Sequence, residues 1–461
     1  MEKKHYEVEG RKVAVLGLGR SGEAACRFLR SRGAIVFGSD IRNRAETKAV
    51  ASSLEEIGVS VELGIHSNQI LTSDFIVVSP GIPWDREILQ QARKAKITVV
   101  SEIELASSFL TCPMIAVTGT NGKSFTTALI GEILKEDGRK VAVGGNTAPG
   151  IPLSAVVDQN PEIVVAEIST YQLEGIDGFH PWVGILTNLS PDHLDRHKNF
   201  EEYAQLKGRL FHNQTGEDFA ILNGDDPDVI LFTSEILSKK IYFSRRRRMK
   251  GGVFVEGDKV ISVGREETTV CELESLPFKA EFYLENYLAA ITASLIARVE
   301  KENLIRALQT FQGLPHRMEE VLTLRGVRFV NNSMCTNPTA CARSFEPFEE
   351  PILLIAGGKE KRVNPSVMVE AIKRRAKVTL LIGEVSVKLE GMLRKRGVDS
   401  VWVVPSLEVA VEMGFSLASP GDTVLFSPGF ASYDMFRDFQ ERGDVFMEAV
   451  RKLEGKDATQ H

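Results

Sequence analysis

Gly119-Thr120-Asn121-Gly122-Lys123-Ser124 follows the apolar run Pro113-Met114-Ile115-Ala116 and leads into a helical pattern. Strand, glycine loop, then helix is the setting in which backbone N–H groups and a helix N-terminus hold phosphate. Glycines let the chain approach the oxygens, Lys123 brings a point charge, and the Ser124 hydroxyl is placed to reach Mg²⁺. The loop is shorter than G-x-x-x-x-G-K-S/T, and Phe125 stands where a third hydroxyl is expected. Its setting favours phosphate binding over a tight turn with a chance lysine.

A second glycine loop, Gly17-Leu18-Gly19-Arg20-Ser21-Gly22, also ends a strand and opens a helix, with Asp40 some way beyond. Alone, it fits a dinucleotide site, a nucleotide carried on a substrate, or a plain tight turn. A dehydrogenase has no use for a separate triphosphate loop, which favours the substrate nucleotide. Glu167 ends the apolar run Ile163-Val164-Val165-Ala166, and the C-terminal ends of strands are where open α/β sheets bind ligands. An ordinary strand-end acid is the competing reading. His193 and His197 are four apart, as a zinc pair on one helix face would be. No glutamate follows His193 as H-E-x-x-H requires. A loop presenting His193 to Mg²⁺ or phosphate is the better fit. Lys207 by itself reads as a solvated helix lysine, and Arg245-Arg246-Arg247-Arg248 as a solvated loop.

These residues need strands and helices to place them. Short β-rich runs alternate with helical patterns along the chain, the mark of βαβ units and parallel sheets. Strands are expected at Arg11 to Gly17, Ala34 to Ser39, Asp74 to Ser79 and Ile97 to Val100. More follow at Met114 to Thr118, Lys140 to Val143, Glu162 to Ile168 and Val183 to Leu189. Helices are expected at Ser21 to Arg32 and Thr126 to Glu136. Between Lys239 and Ala280, short alternating runs with glycine turns suggest a β-rich appendage. A hairpin-like stretch, Glu320 to Asn331, opens a last α/β unit. The expected fold is α/β with three domains in series: a Rossmann-like 1–111, a central 112–314 with the appendage, and a Rossmann-like 315–461.

At 461 residues the chain is too long for one ordinary domain. A hydrophobic content of 43% and charged content of 26% are those of a globular protein. The net charge of -6 argues against a general nucleic-acid binder. Cys26, Cys112, Cys271, Cys335 and Cys341 contain no C-x-x-C pair and read as free thiols of a reducing compartment. No apolar leader or membrane-length run is visible, so a cytoplasmic protein is expected.

Together these motifs resemble the Mur ligases over essentially the whole chain, and within that family the members that add D-glutamate. The resemblance rests on the two glycine loops, Ser79-Pro80-Gly81-Ile82-Pro83, Glu102-Ile103-Glu104-Leu105-Ala106 and Glu167-Ile168-Ser169-Thr170-Tyr171-Gln172-Leu173. It extends to Asp192 through His197, Gly313-Leu314-Pro315-His316-Arg317 and Ser427 through Phe436. It implies ATP-dependent joining of D-glutamate to UDP-N-acetylmuramoyl-L-alanine through an acyl phosphate, in cytoplasmic peptidoglycan precursor synthesis, by a monomer. By the same resemblance, Gly17, Arg20, Ser21, Asp40, Arg42 and Gly81 hold the UDP end. Gly119 through Thr126 (Thr120, Asn121, Gly122, Lys123, Ser124 and Phe125 between them), with Arg317 and Asn332, face ATP. Ser124, Glu167, His193 and a carbamylated Lys207 hold two Mg²⁺, with Lys123, Glu167, His193 and Lys207 as the catalytic set. Asn146 lies near the substrate, and Thr336, Lys361, Ser432 and Phe439 form the D-glutamate pocket. Domain closure is the implied gating motion.

Two stretches depart from the family pattern. Asn332 replaces an acid and Met334 a lysine in Asn331-Asn332-Ser333-Met334-Cys335-Thr336-Asn337, and Phe282-Tyr283 replaces His-Asn ahead of Asn286. Tyr283 is the candidate to stack on the adenine. A ligase for another amino acid and a catalytically silent UDP-sugar-binding homologue are the alternatives. The retained Thr336, Lys361, Ser432 and Phe439 disfavour the first, and the intact metal and lysine set disfavours the second.

Overall fold

A computed structural model describes residues 5–147, 150–193, 196–277, 281–360 and 363–458, with the side chains of 281, 282 and 455–458 left aside. The chain divides into two compact units, Met1–Phe311 and Gln312–His461.

In the first unit, β1 (Lys12–Leu16), β2 (Ile35–Asp40), β3 (Ser60–Leu63), β4 (Phe75–Val78) and β5 (Thr98–Ser101) form a parallel sheet ordered β3-β2-β1-β4-β5. Alternation decides its two faces: Val13 and Val15 enter one core, Ala14 and Leu16 the other. The Arg20–Ser31 helix follows β1 directly.

A second sheet is built from β6 (Met114–Thr118), β7 (Val141–Gly145), β8 (Ile163–Glu167), β9 (Val183–Leu186), β10 (Phe219–Asn223), β11 (Lys239–Ser244), β12 (Gly252–Glu256), β13 (Lys259–Val263) and β14 (Glu267–Glu272). Its order is β14-β13-β12-β11-β10-β9-β6-β8-β7. Strands β6 to β11 are all parallel, so their C-terminal ends share one edge. The β-rich appendage is built onto this sheet: Phe243 and Ser244 of β11 pair in parallel with Val253 and Phe254 of β12. Only beyond β12 do the strands turn antiparallel. Of the glycine turns, Gly257-Asp258 closes the β12–β13 hairpin, while Gly251-Gly252 leads into β12.

The second unit holds β15 (Glu319–Leu324), β16 (Val327–Asn331), β17 (Ile352–Gly357), β18 (Ala376–Ile382), β19 (Val401–Val403) and β20 (Thr423–Gly429), ordered β15-β16-β20-β17-β18-β19. From β17 the chain steps outward to β18 and β19, then returns to lay β20 on the other side of β17. That reversal opens a crevice at the C-terminal ends of β17 and β20, where doubly wound sheets bind ligands.

Glu102 joins the two sheets of the first unit. It opens the Glu102–Phe109 helix, is fully buried, and accepts the Ser154 amide at 2.6 Å through Oε1. Its Oε2 has no hydrogen-bond partner among the described residues. Burial raises the pKa of this carboxyl despite the Ser154 bonds. A raised folded-state pKa means a contribution that is complete below the unfolded value and lost as pH rises through the folded one. Glu102→Gln, which mimics the protonated acid, is therefore expected to raise the thermal midpoint at about pH 8 and leave it unchanged near pH 4, below the ordinary glutamate pKa. Calorimetry at the two pH values checks this, and an equal change at both would contradict it.

Candidate active site

Strand β6 ends at Thr118, and the Lys123–Glu136 helix begins at Lys123, three residues before the expected start. Gly122 is its N-cap at φ 83, and a Cβ there would lie 2.0 Å from Asn286 Oδ1. Only glycine accommodates both the left-handed backbone and that contact. The extra turn puts Lys123, Ser124 and Phe125 in the first helical turn, whose amides lack intrahelical acceptors.

The neighbouring strand clasps this loop. β9 stops at Leu186, short of the expected Leu189, because the next residues leave the ladder to bind the loop. Thr187 Oγ1 donates to Asn121 O at 2.7 Å, and the Asn121 amide donates to Asn188 Oδ1 at 2.8 Å. Thr120 is held through Ser190 and lies 3.1 Å from the Tyr203 hydroxyl. Asn223, ending β10, donates to Thr187 O at 2.9 Å. A loop fixed at so many points is preorganised for its ligand.

Two lysines converge on the loop. Lys123 Nζ donates to Gly119 O and Thr120 O at 3.0 and 2.9 Å, while Lys207 Nζ donates to the same Gly119 O at 2.7 Å. Lys207 is not solvated but 2% exposed, in the Phe200–Gly208 helix, with its Nζ 4.7 Å from the Tyr203 ring centre. Burial, then the nearby Lys123 charge, push its pKa well below the usual lysine value, against the pull of Asp192 and Glu167. The amine thus inclines to its neutral, nucleophilic form.

Glu167 ends β8, is 2% exposed, and accepts from Asn146 Nδ2 at 3.0 Å through Oε1. Its Oε2 is buried with no hydrogen-bond partner among the described residues. A carboxylate oxygen left bare beside a phosphate loop calls for a cation. Mg²⁺ fits this donor set, since it takes one or two carboxylates and completes its shell with phosphate and water. Among the described residues no three His, Cys, Asp or Glu form a cage of protein ligands.

His193 and His197 diverge. His193, at φ 53, is exposed with Nδ1 3.0 Å from the Tyr171 hydroxyl, whereas His197 is buried with Nε2 3.1 Å from Thr170 Oγ1. His193 is the one available to a ligand. Leu194 and Asp195, inside that motif, lie outside the described residues.

On the substrate side, Arg20, Ser21, Gly145, Asn146 and Gln172 line one hollow, joining the first glycine loop to the edge that carries Glu167. Gly22 lets the loop close, since a Cβ would sit 1.7 Å from Gly17 O. Asp40 differs from its expected role as a ligand contact. It is 1% exposed and spent on the Leu18 amide and on Arg42, which donates from its amide, Nε and Nη2. Burial would raise its pKa, but these bonds outweigh it and hold the carboxyl below its ordinary value. Arg42, with 49% of its side chain exposed, and the exposed Gly81 are the groups left to meet a ligand.

Phe125 was expected among the ATP contacts, but its side chain is 2% exposed and packs against Tyr283, Tyr287 and Phe311 at ring distances of 4.7, 5.4 and 5.1 Å. Tyr283 is buried in the same cluster, so it offers no face to a base. Thr126 is fully buried.

In the second unit, Asn332 is 7% exposed and spent internally, donating to Ser427 Oγ at 3.1 Å and accepting the Met318 amide. Its side chain is an internal strut of the second unit. Ser432, at 2% exposed, and the half-buried Thr336, Phe439 and Arg317 surround the strand ends. Lys361 lies outside the described residues. Arg442 escaped notice in the sequence. It is 1% exposed and donates to Ser333 Oγ, Ser333 O and Phe430 O, tying the ends of β16 and β20 together. Burial lowers its pKa to about 10. Tyr203, Thr187, Asn188 and Asn223 were also passed over; Tyr203, one helical turn before Lys207, was the one with a positional signal.

Family models match all three regions: a Mur ligase MurD-like N-terminal domain over residues 11–101, a Mur ligase middle domain over 117–294, and a Mur ligase glutamate ligase domain over 316–430. A UDP-N-acetylmuramoylalanine--D-glutamate ligase of Geotalea daltonii is 40% identical over 98% of this chain and 99% of its own. The enzyme of that name from Pelotomaculum thermopropionicum is 40% identical over 96% and 98%. In fold, the UDP-N-acetylmuramate-alanine ligase MurC of Thermotoga maritima is similar, at a TM-score of 0.59 and 17% identity over 96% of this chain and 99% of that one. Matches in all three regions, and identity of this extent over nearly the full length, make the chain a member of the Mur ligase family.

Proposed function

We propose that this protein is an ATP-dependent ligase that adds D-glutamate to UDP-N-acetylmuramoyl-L-alanine in peptidoglycan precursor synthesis. The observation that carries the reading is the convergence of Lys123 and Lys207 on Gly119 O, in the same electrostatic neighbourhood as the bare oxygen of Glu167. The names of its relatives support D-glutamate as the amino acid. The functional division follows the three sheets, as 1–111 for UDP, 112–314 for ATP and 315–461 for the amino acid. The enzyme works as a cytoplasmic monomer, and no described helix is long and apolar enough to cross a membrane.

The first step joins two anions. An oxygen of the alanyl carboxylate attacks the γ-phosphorus of ATP, the bond to ADP breaks, and an acyl phosphate results. Lys123 and the loop amides offset the repulsion and stabilise the transferring group. Ser124, Glu167, His193 and Lys207 would hold Mg²⁺, which supplies further charge compensation when bound. To serve as a ligand Lys207 must change sign: its neutral amine bonds to the carbon of CO₂, releases a proton and becomes an anionic carbamate. Asn146 orients Glu167 and lines the substrate hollow. Arg42, Arg20, Ser21, Gly17 and Gly81 receive the UDP end. Arg317 approaches ATP, and Thr336, Lys361, Ser432 and Phe439 hold D-glutamate, whose deprotonated amine attacks the acyl carbon and expels phosphate.

This pathway moves one carboxylate oxygen into the phosphate. With a heavy-oxygen label in the alanyl carboxylate, the released phosphate is expected to carry the label. Unlabelled phosphate from a turning-over enzyme would rule out the acyl phosphate.

A further inference from the structure

The nucleoside half of ATP has to leave the phosphate loop along the C-terminal edge of the second sheet. On one side, β8 and β7 present Glu167 and Asn146, which border the substrate hollow. The open direction therefore runs over β9, β10 and β11. There the start of the Glu281–Ile296 helix meets the loop, with Asn286 against Gly122. Glu285, its neighbour, accepts from Arg245 Nε at 2.8 Å through Oε1, while its Oε2 has a longer contact, 3.4 Å, from Asn223 Nδ2. Asn223 also bonds Thr187, which bonds Asn121. The pair is thus tied to the phosphate loop through successive hydrogen bonds.

Arg245 itself is fixed, its amide donating to Asp225 Oδ2 at 2.8 Å. Arg245 and Glu285 keep 17% and 18% of their side chains exposed, which leaves a surface for a ligand without leaving the pair loose. The rings of Phe125 and Tyr283 are buried, whereas the Arg245 guanidinium is a planar group that this edge offers a base among the described residues. Of its neighbours in the run, Arg248 pairs with Glu256 and Glu267, and Arg247 bonds Gly224 O.

We propose that Arg245 and Glu285 are specificity-determining residues for the nucleoside of ATP, an inference that rests on the ligase reading above. The guanidinium plane packs on the base, and Glu285 Oε2 accepts from a ribose hydroxyl. Arg245→Lys keeps the charge but loses the plane; Glu285→Gln keeps the shape but loses the charge.

The test compares ATP with inorganic tripolyphosphate, which has the phosphates and no nucleoside. Both variants are expected to raise KM for ATP about tenfold, the scale of one hydrogen bond to a charged group. Inhibition by tripolyphosphate and KM for D-glutamate should stay at wild-type values. Unchanged KM for ATP overturns the inference, and so does an equal weakening of tripolyphosphate, which would mark a general loosening of the loop. A wild-type chain that neither binds nor consumes ATP overturns the ligase reading together with it, so the two failures are distinguishable.

Discussion

Lys207→Met is expected to lower kcat by about three orders of magnitude, the scale of losing one electrostatic group at a transferring centre, while leaving the thermal midpoint at or above the wild-type value. The two halves of this expectation have separate causes. Lys207 is buried, and its amine is pushed toward neutrality by burial and by Lys123. Keeping a lysine in such a place opposes stability, and methionine fills the same volume without the polar head. Gly119 O retains a donor in Lys123. Activity should fail because the carbamate proposed above could not form. On that proposal the wild type should depend on CO₂: intact-mass measurement should show one added CO₂ per chain, lost with activity after acid treatment and CO₂ removal. A Lys207→Met variant with normal turnover, or one that no longer folds, would contradict this reading.

Lys123→Ala should be as damaging to activity by a different route, with kcat/KM for ATP down by about a thousandfold. The side chain now bonds its own loop at Gly119 O and Thr120 O, so it is held where phosphate oxygens would arrive. Its loss removes positive charge from the point where two anions must meet. The loop itself should survive, because Thr187, Asn188 and Ser190 anchor it independently. KM for D-glutamate, read by phosphate release at saturating ATP, is the control. A loss confined to D-glutamate binding would contradict the assignment.

Positions that follow from backbone context were legible in the sequence: the strand, loop and helix around Lys123, because they follow one another locally, and Glu167 at its strand end. What was not legible depends on long-range packing. Lys207 has the pattern of a surface helix lysine, and only the fold buries it beneath Gly119. Phe125 directly follows Ser124 of the glycine loop, yet three rings distant along the chain enclose it. Asp40 has the spacing of a ribose acid, but Arg42, two residues on, consumes it. Asn332 is likewise taken up by Ser427, ninety-five residues away. Arg245 lies in a run that composition alone assigns to solvent, and its meaning depends on Glu285 reaching it across the sheet edge.

The fold shows the same division. Individual strands were visible as β-rich runs, because each is a local pattern. That β11 to β14 extend the central sheet was not visible, because pairing register is set by partners and not by the strand itself.

The most direct measurement is phosphate release by the wild-type chain with ATP, Mg²⁺ and UDP-N-acetylmuramoyl-L-alanine, with one amino acid added at a time. Release is expected with D-glutamate and at background with L-lysine or glycine. Equal release with all three would contradict D-glutamate as the substrate, and no release with any of them would contradict ligase activity itself.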